Sequence, residues 1–79
     1  KLTYSILQKA YVTLSIYSSK GRIVKTLISD NLQAGKYSMI WDGTNEYGFS
    51  VGQGMYYAIL GIKTGTTIQR TPAKICLSK

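Results

Sequence analysis

Apolar and polar residues alternate with a period of two along most of this chain. In the segment Tyr11-Val12-Thr13-Leu14-Ser15-Ile16-Tyr17, every second side chain is aliphatic. Because successive side chains of a β-strand point to opposite faces, this alternation predicts a strand with Val12, Leu14 and Ile16 facing a core. The chain contains no stretch with the apolar spacing of an amphipathic helix, so the pattern predicts an all-β protein.

Short turns that contain glycine separate the segments with strand-like composition. Strands are expected at residues 2–7, 11–17, 22–28, 37–41, 55–62 and 67–77. In the turn at 18–21, Gly21 is expected to take a positive φ, and residues 42–54 are expected to form the longest loop. The run at 55–62 is apolar almost throughout, which is typical of a strand covered on both faces. Pro72 predicts an edge strand or a bulge, because proline has no N–H to donate.

Short strands at this regular spacing are typical of a sandwich of two packed sheets. The predicted fold is an immunoglobulin-like antiparallel β-sandwich of six or seven strands. We expect residues 1–79 to form one domain, the C-terminal module of a larger exported protein.

The charge balance is strongly basic. Ten Lys and Arg residues against three Asp and Glu residues give a net charge of +7. This balance favours anionic partners such as nucleic acid, acidic polysaccharide or a lipopolysaccharide-rich surface. It is more often typical of a solvated surface whose lysines prevent strand edges from pairing with other chains. No apolar stretch approaches the roughly 18 residues of a membrane span, so none is expected.

Few residues of this chain are suited to catalysis or to metal binding. The chain has no His, which removes the usual base for a Ser or Cys nucleophile. With Cys76 as the single cysteine, neither an internal disulfide nor a zinc site of the usual kind can form. We therefore expect no catalytic residue, no cofactor and no resident metal.

The loop that begins at Asp42 has a superficial likeness to a calcium-binding loop. Calcium loops of the EF-hand type need Gly at position six and Glu at position twelve, where this chain has Tyr47 and Gln53. A looser site made by Asp42, Asn45 and Glu46 remains an alternative. Gly52-Gln53-Gly54 precedes an apolar strand instead of a helix, so it is not a phosphate-binding loop.

The Trp41-Asp42-Gly43 tripeptide predicts a structural corner. The Trp41 indole can cover one end of the core, and Asp42 can accept backbone N–H groups of the loop that follows. Gly43 permits a tight or left-handed turn. One of Tyr56 and Tyr57 is expected to pack in the core and the other to lie nearer solvent, because they point to opposite faces.

The order of these motifs resembles a known superfamily. The residues that carry the resemblance are Leu14, Ile16, Tyr17, Gly21, Arg22, Val24, Thr26, Leu27, Ala34, Gly35, Trp41, Asp42, Gly43, Asn45, Gly48, Gly54, Met55, Tyr56 and Tyr57. They resemble the immunoglobulin-like domain of the flagellar hook-capping protein and, equally, the C-terminal sorting domains of type IX secretion cargo. The resemblance gives a structural role to Gly21, Trp41, Asp42, Gly43, Gly48, Gly54 and Tyr56.

The resemblance implies a non-catalytic module at the cell surface or in the medium, exported through the periplasm. In the first hypothesis the module is a sorting signal recognised by the secretion machinery, with Lys74 and Lys79 as possible contacts to a translocon or an anionic surface. In the second it is a retained structural module that packs on neighbouring domains of an extracellular enzyme, a surface-layer or filament protein, or a hook-cap-type assembly protein. The third hypothesis is binding of an anionic surface glycan, and nucleic acid is not expected as a partner.

Overall fold

The computed structural model describes residues 2–77, and of Cys76 only the backbone. These residues form six strands and no helix: β1 (Leu2–Ile6), β2 (Ala10–Ser18), β3 (Ile23–Leu32), β4 (Gly35–Met39), β5 (Gly54–Thr64) and β6 (Thr67–Leu77). Since this range contains no helix, it contains none with the length and apolarity to cross a membrane. The prediction of an all-β fold is confirmed.

The strands form two antiparallel sheets. One contains β1 and β4, and the other has four strands in the order β3-β2-β5-β6. The two-stranded sheet packs its inner face on the middle of the four-stranded sheet, which gives the predicted sandwich with six strands.

The core lies between the inner face of β2 and the inner face of β1. Val12 and Ile16 are 0% exposed and Leu14 is 3% exposed, as their alternation predicts. Tyr4 and Ile6 of β1 pack against them. β2 is hydrogen-bonded on both sides, to β3 and to β5, so its edges as well as its inner face are removed from water.

β3 extends to Leu32, beyond the strand predicted at 22–28, and two bulges interrupt its pairing with β2. The register of β2 and β3 shifts between Leu14 and Ser15 and again between Ile16 and Tyr17, which leaves Leu27 and Val24 as extra residues. A bulge lets two successive residues turn toward one face. Leu27 and Ile28 both pack against the core, although strict alternation would separate them.

β5 departs from the prediction that both of its faces are covered. Tyr56, Leu60 and Ile62 pack against the core, and Ala58 is buried. On the opposite face Met55 is 40% exposed, and no described element covers that face. The run is apolar because β5 is a central strand of its sheet, but the second sheet lies on one side of it alone.

β6 lies at the edge of the four-stranded sheet, where Pro72 is tolerated. Pro72 is registered with Ile59 of β5, and within residues 2–77 no strand pairs with the other edge of β6. The predicted edge position is confirmed.

Candidate interaction surfaces

The connection from β4 to β5, residues 40–53, contains most of the residues given a structural role above and is called the motif loop. Hydrogen bonds within the loop hold it closed. The Trp41 indole packs on the core edge-on to Tyr56, with ring centroids 5.1 Å apart and an interplanar angle of 65°. Its Nε1–H donates to the Thr44 carbonyl at 2.9 Å, and the Tyr56 hydroxyl donates to the Gly52 carbonyl at 2.5 Å. Both ends of the loop are thereby attached to one aromatic pair at the end of the core.

Asp42 forms the first turn of this loop. Its Oδ1 accepts the backbone N–H of Thr44 at 3.1 Å and the Thr44 hydroxyl at 2.6 Å. Lys25 Nζ lies 4.0 Å from the same oxygen and donates to the Thr44 hydroxyl at 3.1 Å. The side-chain hydrogen bond from Thr44 is the largest cause of a lowered Asp42 pKa, followed by the Thr44 backbone bond and the Lys25 charge, while burial acts in the opposite direction. Asp42 therefore acts as a turn-forming anion.

The tip of the loop is a second closed turn. Asn45 Oδ1 accepts the N–H groups of Tyr47 at 3.0 Å and of Phe49 at 3.1 Å. The Asn45 N–H donates to the Phe49 carbonyl at 2.8 Å, and the Gly48 N–H donates to the Asn45 carbonyl at 3.0 Å. Tyr47 remains 84% exposed and Phe49 69% exposed. A fixed backbone thus holds two aromatic side chains out into solvent.

The same loop is fastened to the edge of β3. Glu46 Oε1 accepts the Thr26 N–H at 2.7 Å, and the Glu46 N–H donates to the Val24 carbonyl at 3.1 Å. β3 is an edge strand, so these bonds occupy backbone groups to which another chain could otherwise pair. The loop therefore covers this edge at Val24 and Thr26, while β6 forms the opposite edge.

The glycines of the motif lie in turns or, for Gly54, at the start of β5. Positive φ angles are found at Gly21 (84°), Gly43 (80°), Gly48 (85°) and Gly54 (148°). Gly43 is also buried, and a Cβ atom there would lie 3.5 Å from both methyl groups of Leu77. Its side of the loop therefore packs on the last described residue of β6.

The alternative calcium site from Asp42, Asn45 and Glu46 is not assembled. An oxygen of each of the three side chains accepts a different backbone N–H group. Within residues 2–77, no three His, Cys, Asp or Glu side chains are grouped to hold a metal.

The basic candidate Lys74 is separated from the motif loop. Lys74 is exposed on β6 and registered with Tyr57, whereas Trp41 packs on Tyr56, which points to the opposite face. Lys79 lies outside the described residues.

Comparison with known proteins finds a family match over most of the chain. Residues 2–61 match the family model described as the FlgD Ig-like domain. This chain belongs to that family. It is 36% identical over 67 residues to the basal-body rod modification protein FlgD of Salmonella typhimurium and, to the same degree, to that of Salmonella typhi. The alignment covers 84% of this chain but 29% of each relative. No solved structure matches significantly.

The part that matches the FlgD Ig-like domain comprises β1 to β4, the motif loop and β5 as far as Gly61. β6, with Arg70 and Lys74, follows the matched segment. Neither the bonds of Glu46 to β3 nor the exposed side of β5 was predicted from the sequence. The apolar run at 55–62 pointed the other way, to a strand covered on both faces.

Proposed function

We propose that this FlgD Ig-like domain is a non-catalytic structural module of an exported hook-cap-type assembly protein. In this role it binds neighbouring domains or subunits through the 40–53 loop. The family assignment favours this hypothesis over the sorting signal. The alignment to 29% of each FlgD relative supports a module within a longer parent protein.

The observation that carries the proposal is the closed turn that presents Tyr47 and Phe49. Exposed aromatic side chains on a rigid loop are suited to bind a partner, because little conformational freedom remains to be lost on association. Aromatic residues are also enriched among those that dominate binding energy. The hydrogen bonds of Asn45 and Glu46 supply the rigidity.

Replacement of both tip aromatics in the parent protein tests this role. Tyr47→Ser with Phe49→Ser removes the exposed rings and leaves the Asn45 and Glu46 bonds in place. Leu7→Ser is the matched control, since Leu7 is 94% exposed in the turn between β1 and β2. We expect the double variant to weaken assembly of the parent about tenfold or more with an unchanged melting temperature. Equal assembly of the double variant and the control, measured by analytical ultracentrifugation, would contradict the proposal.

Sorting is the second candidate function, and β6 is the observation that favours it. This strand presents one edge without a partner among residues 2–77, and it exposes Arg70 and Lys74. A secretion receptor could recognise such an edge through main-chain pairing and its charges. If sorting is the function, Arg70→Gln with Lys74→Gln should reduce export of a parent that still folds. Unchanged export would remove the support that β6 gives.

A further inference from the structure

The outer face of the four-stranded sheet, on the side away from β1 and β4, carries an ordered set of side chains. Strand register arranges them in three rows across β2, β5 and β6: Tyr17–Tyr57–Lys74, Ser15–Ile59–Pro72 and Thr13–Gly61–Arg70. All of these residues except Lys74 line an open groove of about 630 Å³, within the range of about 300–1,000 Å³ that small-molecule sites occupy. Lys74 lies on the same face, registered with the lining residue Tyr57. The groove continues to the β2–β3 turn at Ser18 and Ser19.

The charges on this face have one sign. Arg70 and Lys74 lie on it, and Lys63 belongs to the adjoining row with Tyr11 and Ile68. The chain's three acids lie elsewhere. Asp30 is registered with the core residue Val12, and Asp42 and Glu46 belong to the motif loop. Because the ion pair within residues 2–77 joins Lys25 to Asp42, the cations of the outer face have no anionic partner there.

The groove is rich in hydroxyl groups. Six of its eleven lining residues carry one: Thr13, Ser15, Tyr17, Ser18, Ser19 and Tyr57. Two of these hydroxyls have partners within the chain: the buried Ser15 hydroxyl donates to Thr26 Oγ1 at 3.4 Å, and Ser18 Oγ accepts the N–H groups of Lys20 and Arg22. The hydroxyls of Thr13, Ser19 and the two tyrosines can each donate one hydrogen bond and accept others, which suits a ligand that is itself covered with hydroxyl groups. Tyr17 and Tyr57 are registered neighbours whose rings offer apolar area beside these groups. Arg70 offers a guanidinium, whose planar donors suit a carboxylate.

We infer that the outer-face groove binds an acidic oligosaccharide of the uronic-acid class. Arg70 and Lys74 bind the carboxylates, the Thr13 hydroxyl bonds the sugar hydroxyls, and Tyr17 and Tyr57 contact the apolar faces of the rings. This site is separate from the motif loop, so it gives the module an attachment to acidic glycan in addition to its protein partner.

The lining distinguishes this ligand from three others. Protein interfaces are depleted in Ser relative to the rest of the surface, whereas Ser15, Ser18 and Ser19 all line this groove. A second copy of the chain would bring the same cations against one another, and like charges oppose association. An acidic peptide shares the carboxylates of a uronic acid but lacks its dense hydroxyl groups.

Titration of the isotope-labelled chain with trigalacturonate, followed by NMR, tests the inference. An end-blocked triglutamate peptide supplies the same charge without sugar hydroxyls, and maltotriose supplies a sugar without charge. Arg70→Gln is the main variant and Lys36→Gln is its matched control, because Lys36 is exposed on β4 and the same charge is lost. Thr13→Val removes a groove hydroxyl at nearly constant volume.

The inference predicts that trigalacturonate shifts amide resonances of the three outer-face rows and binds more tightly than triglutamate or maltotriose. Arg70→Gln should weaken it about tenfold and Thr13→Val severalfold, with Lys36→Gln changing it less than about twofold. Equal weakening by Arg70→Gln and Lys36→Gln would overturn the inference, because general charge attraction would then explain binding. Equal or tighter binding of triglutamate would assign the face to an acidic peptide. An absence of binding would also overturn it.

Discussion

The Glu46 carboxylate accepts the backbone N–H of Thr26 at 2.7 Å, which joins the motif loop to the edge of β3. The backbone N–H of Glu46 donates to Val24 nearby, so the loop and the strand exchange two bonds. The bulge residue Val24 presents this carbonyl at the edge. One acidic residue thereby attaches the loop to β3 and occupies edge groups of the sheet.

Glu46→Ala should lower the free energy of unfolding by about 1 kcal/mol, because it removes a charge-assisted acceptor in an exposed position. Glu46→Gln should lower it less, since the amide oxygen can still accept the Thr26 N–H. Urea unfolding measures the stability, and amide hydrogen exchange at Thr26 reports the bond directly. Unaltered Thr26 exchange in Glu46→Ala would contradict the role given to this carboxylate.

Thr13 and Gly61 are registered neighbours, and a Cβ atom at position 61 would lie 2.6 Å from Thr13 Oγ1. Gly61→Ala should therefore destabilise the fold by about 1 kcal/mol, since the strain outweighs the entropy gained by removing glycine. In a Thr13→Ala background the same change should be neutral or stabilising. A double-mutant cycle from urea unfolding measures this coupling, and additive effects of the two changes would contradict it.

Tyr4 stacks on Tyr37 with ring centroids 5.7 Å apart, and its buried hydroxyl has no hydrogen-bond partner among the described residues. Tyr4→Phe keeps the stacked ring and removes the unsatisfied group. We expect it to raise the free energy of unfolding by up to about 1 kcal/mol. Thermal unfolding at neutral pH measures the change, with Tyr37→Phe as the control because the Tyr37 hydroxyl donates to the Gln33 carbonyl at 2.6 Å. A destabilised Tyr4→Phe variant would show that this hydroxyl is satisfied.

Asp42 should make stability dependent on acid pH. Its pKa is lowered from 3.8, chiefly by the Thr44 hydroxyl, so the folded state favours the carboxylate. The contribution is present above the pKa of the unfolded chain and is lost as pH falls through the lower folded pKa. Asp42→Asn should therefore be less stable than the unaltered chain near neutral pH, and the gap should close in strong acid. A stability difference that persists at low pH would show that the substitution acts through the side chain's shape and not through its charge.

The alternation of apolar and polar residues predicted β2 well, because this strand follows it closely. Its alternate residues Val12, Leu14 and Ile16 are the centre of the core. β3 was less predictable, because two bulges place Leu27 and Ile28 toward the same side. A bulge depends on the register with the partner strand, and a single strand's sequence does not contain that register.

The candidate site was predictable where bonds are local and not where they are long-range. Asp42 bonds Thr44 two residues away, so the composition of the turn indicates it. Glu46 bonds Thr26, which is twenty residues away, and only the folded arrangement of loop and strand brings them together. The basic outer face likewise depends on the register that aligns Tyr57 with Lys74.

The intact mass of the exported parent protein, compared with its full-length precursor, tests the central claim most directly. A structural module must remain in the mature protein, so we predict that the mass of this domain is retained. Limited proteolysis of the same sample should then find the Tyr47–Phe49 tip protected in the assembly and accessible in the free parent. A mature protein shortened by the mass of this domain would contradict the structural role and support a sorting signal that is removed after export.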